Sequence, residues 1–234
     1  MPTQKQDAYK HVLDELGVRT ELSPSTSADM VDATGFGFYH QPAFNPAVVD
    51  LFDRRDRMGV RTFLNTVETL ANPADADVHL GSFYHLAFAR KVVDTFAESR
   101  AHDLDRVLMF QGMEGYDDVR PGYTKVAEWD AGGDGSDGDS FDDFEIETAE
   151  YGMDFEEADL AVEADDVAGD SAAITEAVVT GDRTDHWRDA VALNAALRIY
   201  AREDAASLTA GLADARESVE SGAAEAVLDD LRAF

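Results

Sequence analysis

The run from Gln111 to Asp118 (Gln-Gly-Met-Glu-Gly-Tyr-Asp-Asp) is the strongest chemical feature of the sequence. It follows directly on residues 106–110 (Arg-Val-Leu-Met-Phe), a near-continuous apolar stretch suited to a strand covered on both faces. In open α/β sheets, ligands bind outside the carboxyl ends of the strands. Two adjacent carboxylates, Asp117 and Asp118, after a Gly-containing turn there could hold Mg²⁺. That ion takes one or two carboxylates and leaves the rest of its shell to water and substrate phosphates. On spacing alone, a solvated acidic loop is the competing account.

A second constellation is Arg54, Arg55, Arg57 and Arg61, a local basic cluster in an acidic chain. A guanidinium grips carboxylate or phosphate in a two-pronged fashion. The alternative is internal pairing with Asp50, Asp53 and Asp56. The stretch Gly132-Gly133-Asp134-Gly135-Ser136-Asp137-Gly138-Asp139 nearly fits one calcium-binding nonapeptide, but Asp139 falls where an apolar residue is required. It occurs once, without the stacked neighbours such a site needs, and reads as an acidic loop. The histidines at 11, 40, 79, 85, 102 and 186 show no zinc-binding spacing. No nucleophile elbow, Walker A or dinucleotide fingerprint occurs, and no catalytic acid or base is assigned.

The elements that must position these residues follow an α/β rhythm. Residues 5–16 read as a helix, with Ala8, Val12, Leu13 and Leu16 on one face and Gly17 as its stop. Ser23-Pro24 is an N-cap followed by proline at the first helical position, opening a helix that ends near Gly35. Residues 35–40 alternate like a strand. Asn45-Pro46 opens a further helix, and another runs from Gly59 to near Asn72-Pro73. Strands are expected at 77–81, 106–110, 123–129 and 144–149, with a helix over 84–100. The acidic, Gly-rich segment 130–143 is expected to be a long hairpin tip or insertion. Beyond residue 157 the periodicity is helical, over 170–180, 184–202, 205–220 and 222–232, with Gly181, Gly211 and Gly222 as punctuation. The expectation is a single α/β domain over 1–234, with a mostly parallel sheet flanked by helices and a helical C-terminal portion.

The chain has 234 residues, 44% of them hydrophobic, enough for a substantial core. It has no cysteine, which excludes disulfides, thiolate metal sites and a cysteine nucleophile. Neither a membrane span nor a signal-peptide core is evident, so a cytoplasmic setting is expected. The net charge is −30, from 49 acidic and 19 basic residues, and only residues 5, 10, 91 and 125 are lysine. Such a surface repels itself in dilute buffer. At about 1 M salt, where the screening length is roughly 3 Å, the repulsion largely disappears. The acid is spread among ordinary apolar periodicity, which points to a folded, salt-adapted (halophilic) protein. The same charge argues against nucleic-acid binding.

Taken together, these segments resemble the anthranilate phosphoribosyltransferases and their paralogues in glycosyltransferase family 3. Gly35-Phe36-Gly37-Phe38 through Pro42, Phe44 and Pro46 is similar to the family's strand and proline-rich turn. Arg55 through Gly59-Val60-Arg61-Thr62, Asn65 and Asn72-Pro73 is similar to its most recognisable stretch. Gly112, Gly115, Asp117 and Asp118, followed by Thr124-Lys125-Val126-Ala127-Glu128, resemble its metal segment. Leu193-Asn194-Ala195-Ala196 resembles its late-helix signature. The resemblance implies transfer of ribose 5-phosphate from phosphoribosyl pyrophosphate (PRPP) to the amine of anthranilate, a step of tryptophan synthesis. It further implies Mg²⁺ on Asp117 and Asp118, the acceptor carboxylate on Arg55 and the acceptor ring near Pro42.

Departures from the family pattern accompany the match. Asp118 stands where Glu is usual. Asn45 stands in place of a histidine near the acceptor, and Glu68-Thr69 in place of Gly-Pro. The latter two keep a different, nucleobase-like acceptor open. The family's small helical domain, Gly-rich phosphate loop and Lys-His-Gly-Asn segment precede the point where this sequence opens. The resemblance therefore implies a C-terminal part, truncated at its N-terminus. Such a part would bind PRPP weakly when alone or serve as a non-catalytic remnant, with a homodimer possible for the full-length form.

Overall fold

The computed structural model describes residues 9–51, 54, 57, 69–112, 118–132, 140–162 and 165–234. The chain divides into two compact units. One comprises Met1–Glu68, Val162–Thr184 and Ser218–Phe234, and the other Thr69–Ala161 and Asp185–Glu217.

The first unit is helical. It holds α1 (Tyr9–Glu15), α2 (Pro24–Thr34), the one-turn α3 (Gln41–Phe44) and α4 (Pro46–Val49), α6 (Val167–Val179) and α9 (Ala223–Ala233). The capping signals act as their chemistry requires. Ser23 accepts from the Thr26 amide at 3.2 Å, with Pro24 in the first turn. Gly35 closes α2 in the left-handed region, φ 74°, donating to Val31 O. Asp166 caps α6 through the Gly169 amide at 2.9 Å. Leu16, Val18, Leu22 and Met30 pack with Ala172, Leu228 and Leu231 to form the core. Arg232 then ties distant segments together, with Nε donating to Leu16 O and Nη2 to Glu176, both at 2.7 Å.

The alternation at 35–40 does not produce a strand. Residues 36–40 form no ladder and fold back on α2: Ser27 Oγ donates to Phe38 O at 3.3 Å, and a Cβ on Gly37 would lie 2.5 Å from Val31 Cγ2. Alternation supplies faces, but a strand also needs a partner for its peptides.

The second unit carries the sheet, in the order β1 (Val78–Phe83), β2 (Arg106–Gln111), β3 (Tyr123–Asp130), β4 (Phe141–Glu147). The expected α/β class is present, and the sheet is mixed. The β1–β2 pair is parallel, joined by a crossover through α5 (Leu86–Ala97), whereas β3 and β4 are antiparallel to their neighbours. The link between Gly112 and Gly122 is shorter than the dozen or so residues a crossover needs, so β3 returns antiparallel. β3 and β4 pair as a hairpin. Of the expected 130–143 segment, Phe141–Asp143 are already in β4, and residues 133–139 lie outside the described residues. Much of the helix expected after Gly59 also lies outside them.

β2 is buried from Arg106 to Phe110, and its residues alternate between two cores. Val107 and Met109 join Ala89, Val92, Val93 and Phe96, the buried face of α5. Leu108 and Phe110 join Val126, Ile146 and the inner face of α7 (His186–Ala201). α8 (Leu208–Glu220) packs beside α7 through Leu208, Leu212 and Ala215. Gly211 lies inside α8 instead of punctuating it. A Cβ there would sit 2.9 Å from the carbonyl oxygen of Ala196, so the two backbones touch.

A buried polar network fixes the end of α7. Arg106, 8% exposed, donates through Nε to Glu128 Oε1 at 2.8 Å, and its Nη2 pairs with the same oxygen. Its Nη1 donates to Tyr200 O at 2.8 Å and Ala201 O at 3.3 Å, two of the carbonyls a helix C-terminus leaves unpaired. The guanidinium lies 4.5 Å from the Tyr200 ring centre. Burial opposes the Arg106 charge, but the hydrogen bond and charge of Glu128 outweigh it and raise its pKa above the ordinary value.

Candidate functional site

The ladder of β2 runs one peptide past the strand, where the Gly112 amide donates to Phe83 O at 2.9 Å. The chain is next described at Asp118, before β3 begins at Tyr123. Val119 is 5% exposed and anchors this passage in the core shared with α7. Its peptide groups are held by Asn194 of α7. Oδ1 accepts from Val119 N at 2.8 Å, and Nδ2 donates to Val119 O at 3.1 Å.

The Asp118 side chain is 47% exposed, and its Oδ1 accepts from Arg198 Nη2 at 3.3 Å. Arg198 is steadied in turn by donating from Nη1 to Asn194 O at 2.8 Å. Asp118, Val119, Pro121, Trp187, Asn194 and Arg198 line a cleft of about 410 Å³. A larger concavity of about 920 Å³, lined by Tyr123, Glu145, Glu147, Met153 and Phe155 among others, does not include Asp118.

Asp118 could serve as one ligand of a hard cation. It offers an oxygen donor beyond the carboxyl end of β2, with solvent on one side and a clamped backbone on the other. Among the described residues no group of three or more His, Asp or Glu converges as a metal cage. A single accessible carboxylate suits Mg²⁺, which retains much of its water. Asp117 lies outside the described residues, as does Arg55. Of the basic cluster, Arg54 and Arg57 are described and are exposed.

Pro42 and Asn45 are brought together in the first unit by one helical turn. Pro42 is half-buried in α3. Asn45 ends α3 by donating its amide to Gln41 O at 2.8 Å, and it opens α4 by accepting from Val48 N at 3.0 Å. Its side chain makes no capping hydrogen bond.

Two features were not evident from spacing. Arg198, one turn beyond Asn194, shares the face of α7 that meets Asp118; the four-residue interval was the available signal. His79 also stands apart from the other histidines. It is half-buried on β1 with Nε2 out of solvent and unpartnered among the described residues, 4.7 Å from Phe96 between ring centres. Burial pushes its pKa down to about 4, opposed by a backbone hydrogen bond at Thr69 and assisted by His102. Among the described residues no helix is long and apolar enough to cross a membrane.

Comparison with known proteins gives consistent relatives. Anthranilate phosphoribosyltransferase from Natronomonas pharaonis is 33% identical over 224 residues, covering 95% of this chain and 63% of that protein. The crystal structure of anthranilate phosphoribosyltransferase from Thermus thermophilus superposes with a TM-score of 0.79 at 26% identity, covering 99% of this chain and 65% of the other. The Saccharomyces cerevisiae enzyme in complex with PRPP and Mg has the same fold, with a TM-score of 0.76 at 20% identity over 95% of this chain and 61% of its own. The chain thus spans under two thirds of the length of these relatives. The model of the glycosyl transferase family, a/b domain, matches residues 10–225, and the chain belongs to that family.

Proposed function

We propose that this chain supplies the phosphoribosyl-transfer site of an anthranilate phosphoribosyltransferase. Anthranilate and PRPP would become N-(5-phosphoribosyl)anthranilate and pyrophosphate, in tryptophan biosynthesis. The observation that carries this is Asp118, an accessible carboxylate on a clamped backbone beyond β2, in a chain matched along 95% of its length by a relative of that name.

In this reaction the C1–oxygen bond to pyrophosphate breaks, the C1–nitrogen bond to the acceptor amine forms, and the amine proton leaves to solvent. C1 gains cationic character, so the rate depends on positioning and on charge balance at the leaving group. Asp117 and Asp118 would hold Mg²⁺, which would neutralise the departing pyrophosphate. Arg55 would orient the anthranilate carboxylate, a pairing its planar fork favours. Pro42 would pack against the acceptor ring.

Asn45 supports a second reading. Its amide is not consumed in capping and could read the edge of a nucleobase-like acceptor. The net charge of −30 supports a cytoplasm rich in salt as the working medium. Homodimerisation is proposed only for a full-length form.

The test is anthranilate fluorescence in concentrated KCl with PRPP and Mg²⁺. The proposal expects decay of the signal and its loss in Asp118→Ala. Turnover of a nucleobase and not of anthranilate would move the assignment to the second reading. Phosphoribosyl transfer to neither acceptor would overturn catalysis by this chain alone.

A further inference from the structure

Resting on the phosphoribosyl-transfer reading, we propose that Asn194 is the positioning residue for the cation-binding carboxylate of Asp118, and that Arg198 competes with the cation for it.

Asparagine is a poor choice for the middle of a helix, because its amide competes for backbone hydrogen bonds. Asn194 nonetheless lies mid-helix in α7, half-buried, on a face that includes Leu193 and Leu197. Its amide makes three hydrogen bonds: besides the two to Val119, Nδ2 donates to Ala190 O at 3.0 Å. Val119 is buried and belongs to neither β2 nor β3, so the sheet ladder does not satisfy its peptide groups. Asn194 supplies the donor and the acceptor that a neighbouring strand would otherwise provide. The residue that bears the candidate ligand is thus one peptide away from a fixed point.

Arg198 acts in the opposite sense. It lies one turn along the same face, its arm held by Asn194 O, with Nη2 on the Asp118 carboxylate. A cation on Asp118 would share that oxygen with a guanidinium. Cation affinity would therefore reflect two residues a turn apart, one ordering the ligand and the other repelling its guest.

The experiment uses Mn²⁺ alone as probe, titrated into ¹⁵N-labelled protein in concentrated KCl that suppresses diffuse binding. The readout is selective paramagnetic broadening of the Gly112 and Val119 amides. The expected midpoint rises about tenfold in Asn194→Ala, equivalent to about 1.4 kcal/mol. It rises less in Asn194→Gln, which keeps a neutral amide one methylene further from Val119. It falls about threefold in Arg198→Gln, the scale of an exposed pair. Asn194→Gln also serves if the alanine variant does not fold. Unchanged midpoints in the Asn194 variants would overturn the positioning role while leaving the cation site intact. An unchanged midpoint in Arg198→Gln would overturn the competition. No selective broadening in the parent protein would overturn the cation reading, and this proposal with it.

Discussion

Replacing Glu128 with leucine is expected to be among the most damaging single changes in the second unit. Arg106 is 8% exposed, and the substitution would leave its guanidinium without its carboxylate. Breaking a buried ion pair by removing one partner costs about 3–5 kcal/mol. The Glu128 side chain retains 19% exposure, and Arg106 keeps the carbonyls of Tyr200 and Ala201. Both facts lower the expectation to about 2–3 kcal/mol. The double variant Arg106→Met/Glu128→Leu removes both charges and should recover part of the loss. It would still lack the cap on the last carbonyls of α7, leaving about 1 kcal/mol of destabilisation. Urea unfolding of the parent, both singles and the double gives the coupling energy. The cost should hardly change between moderate and concentrated KCl, because buried pairs are weakly screened. A cost for Glu128→Leu below about 1 kcal/mol, or one that vanishes with salt, would show that water reaches the pair and refute the argument.

Three further outcomes follow from the fold. His79 has a depressed folded pKa of about 4, so the unfolded chain binds the extra proton between about pH 6.5 and pH 4. Its contribution is full above pH 6.5 and lost as pH falls through 4, at most about 3 kcal/mol; urea unfolding across that window should show the parent losing stability relative to His79→Leu as pH falls, and a constant difference would refute it. Gly211→Ala places a methyl against the Ala196 carbonyl oxygen and should destabilise by about 1–3 kcal/mol in thermal melts, despite alanine's better helix propensity; a stabilised variant would mean that the helices separate freely. With a net charge of −30, the melting temperature should climb steeply as KCl rises towards about 1 M, and a flat response would refute the salt-adaptation reading.

The legible features were those set by local chemistry. The apolar run 106–110 read as a strand covered on both faces, and its residues enter two cores. Ser23-Pro24 and Gly35 bounded α2 because caps depend on their own side chains and φ values. The features that were not legible depend on neighbours distant in sequence. Residues 35–40 had the alternation of a strand and no partner, and Gly211 read as punctuation because the Ala196 carbonyl is invisible from its own helix. Asn194 stood within a family signature, but its task required the peptide of Val119, 75 positions away. Of the site residues, Asp118, Pro42 and Asn45 can be placed, while Arg55 and Asp117 lie outside the described residues.

The two-sided burial of β2 also governs which gene-length changes the protein tolerates. One codon inserted within residues 106–111 would turn every later strand residue to the opposite face, exchanging Leu108 and Phe110 with Val107 and Met109 between unlike cores. A residue added beyond the last ladder pair, Trp129 and Phe141, leaves the β3–β4 register as it is, and lengthening a loop costs little. Natural length variation, and any engineered reporter, should therefore collect between 131 and 140 and be excluded from β2.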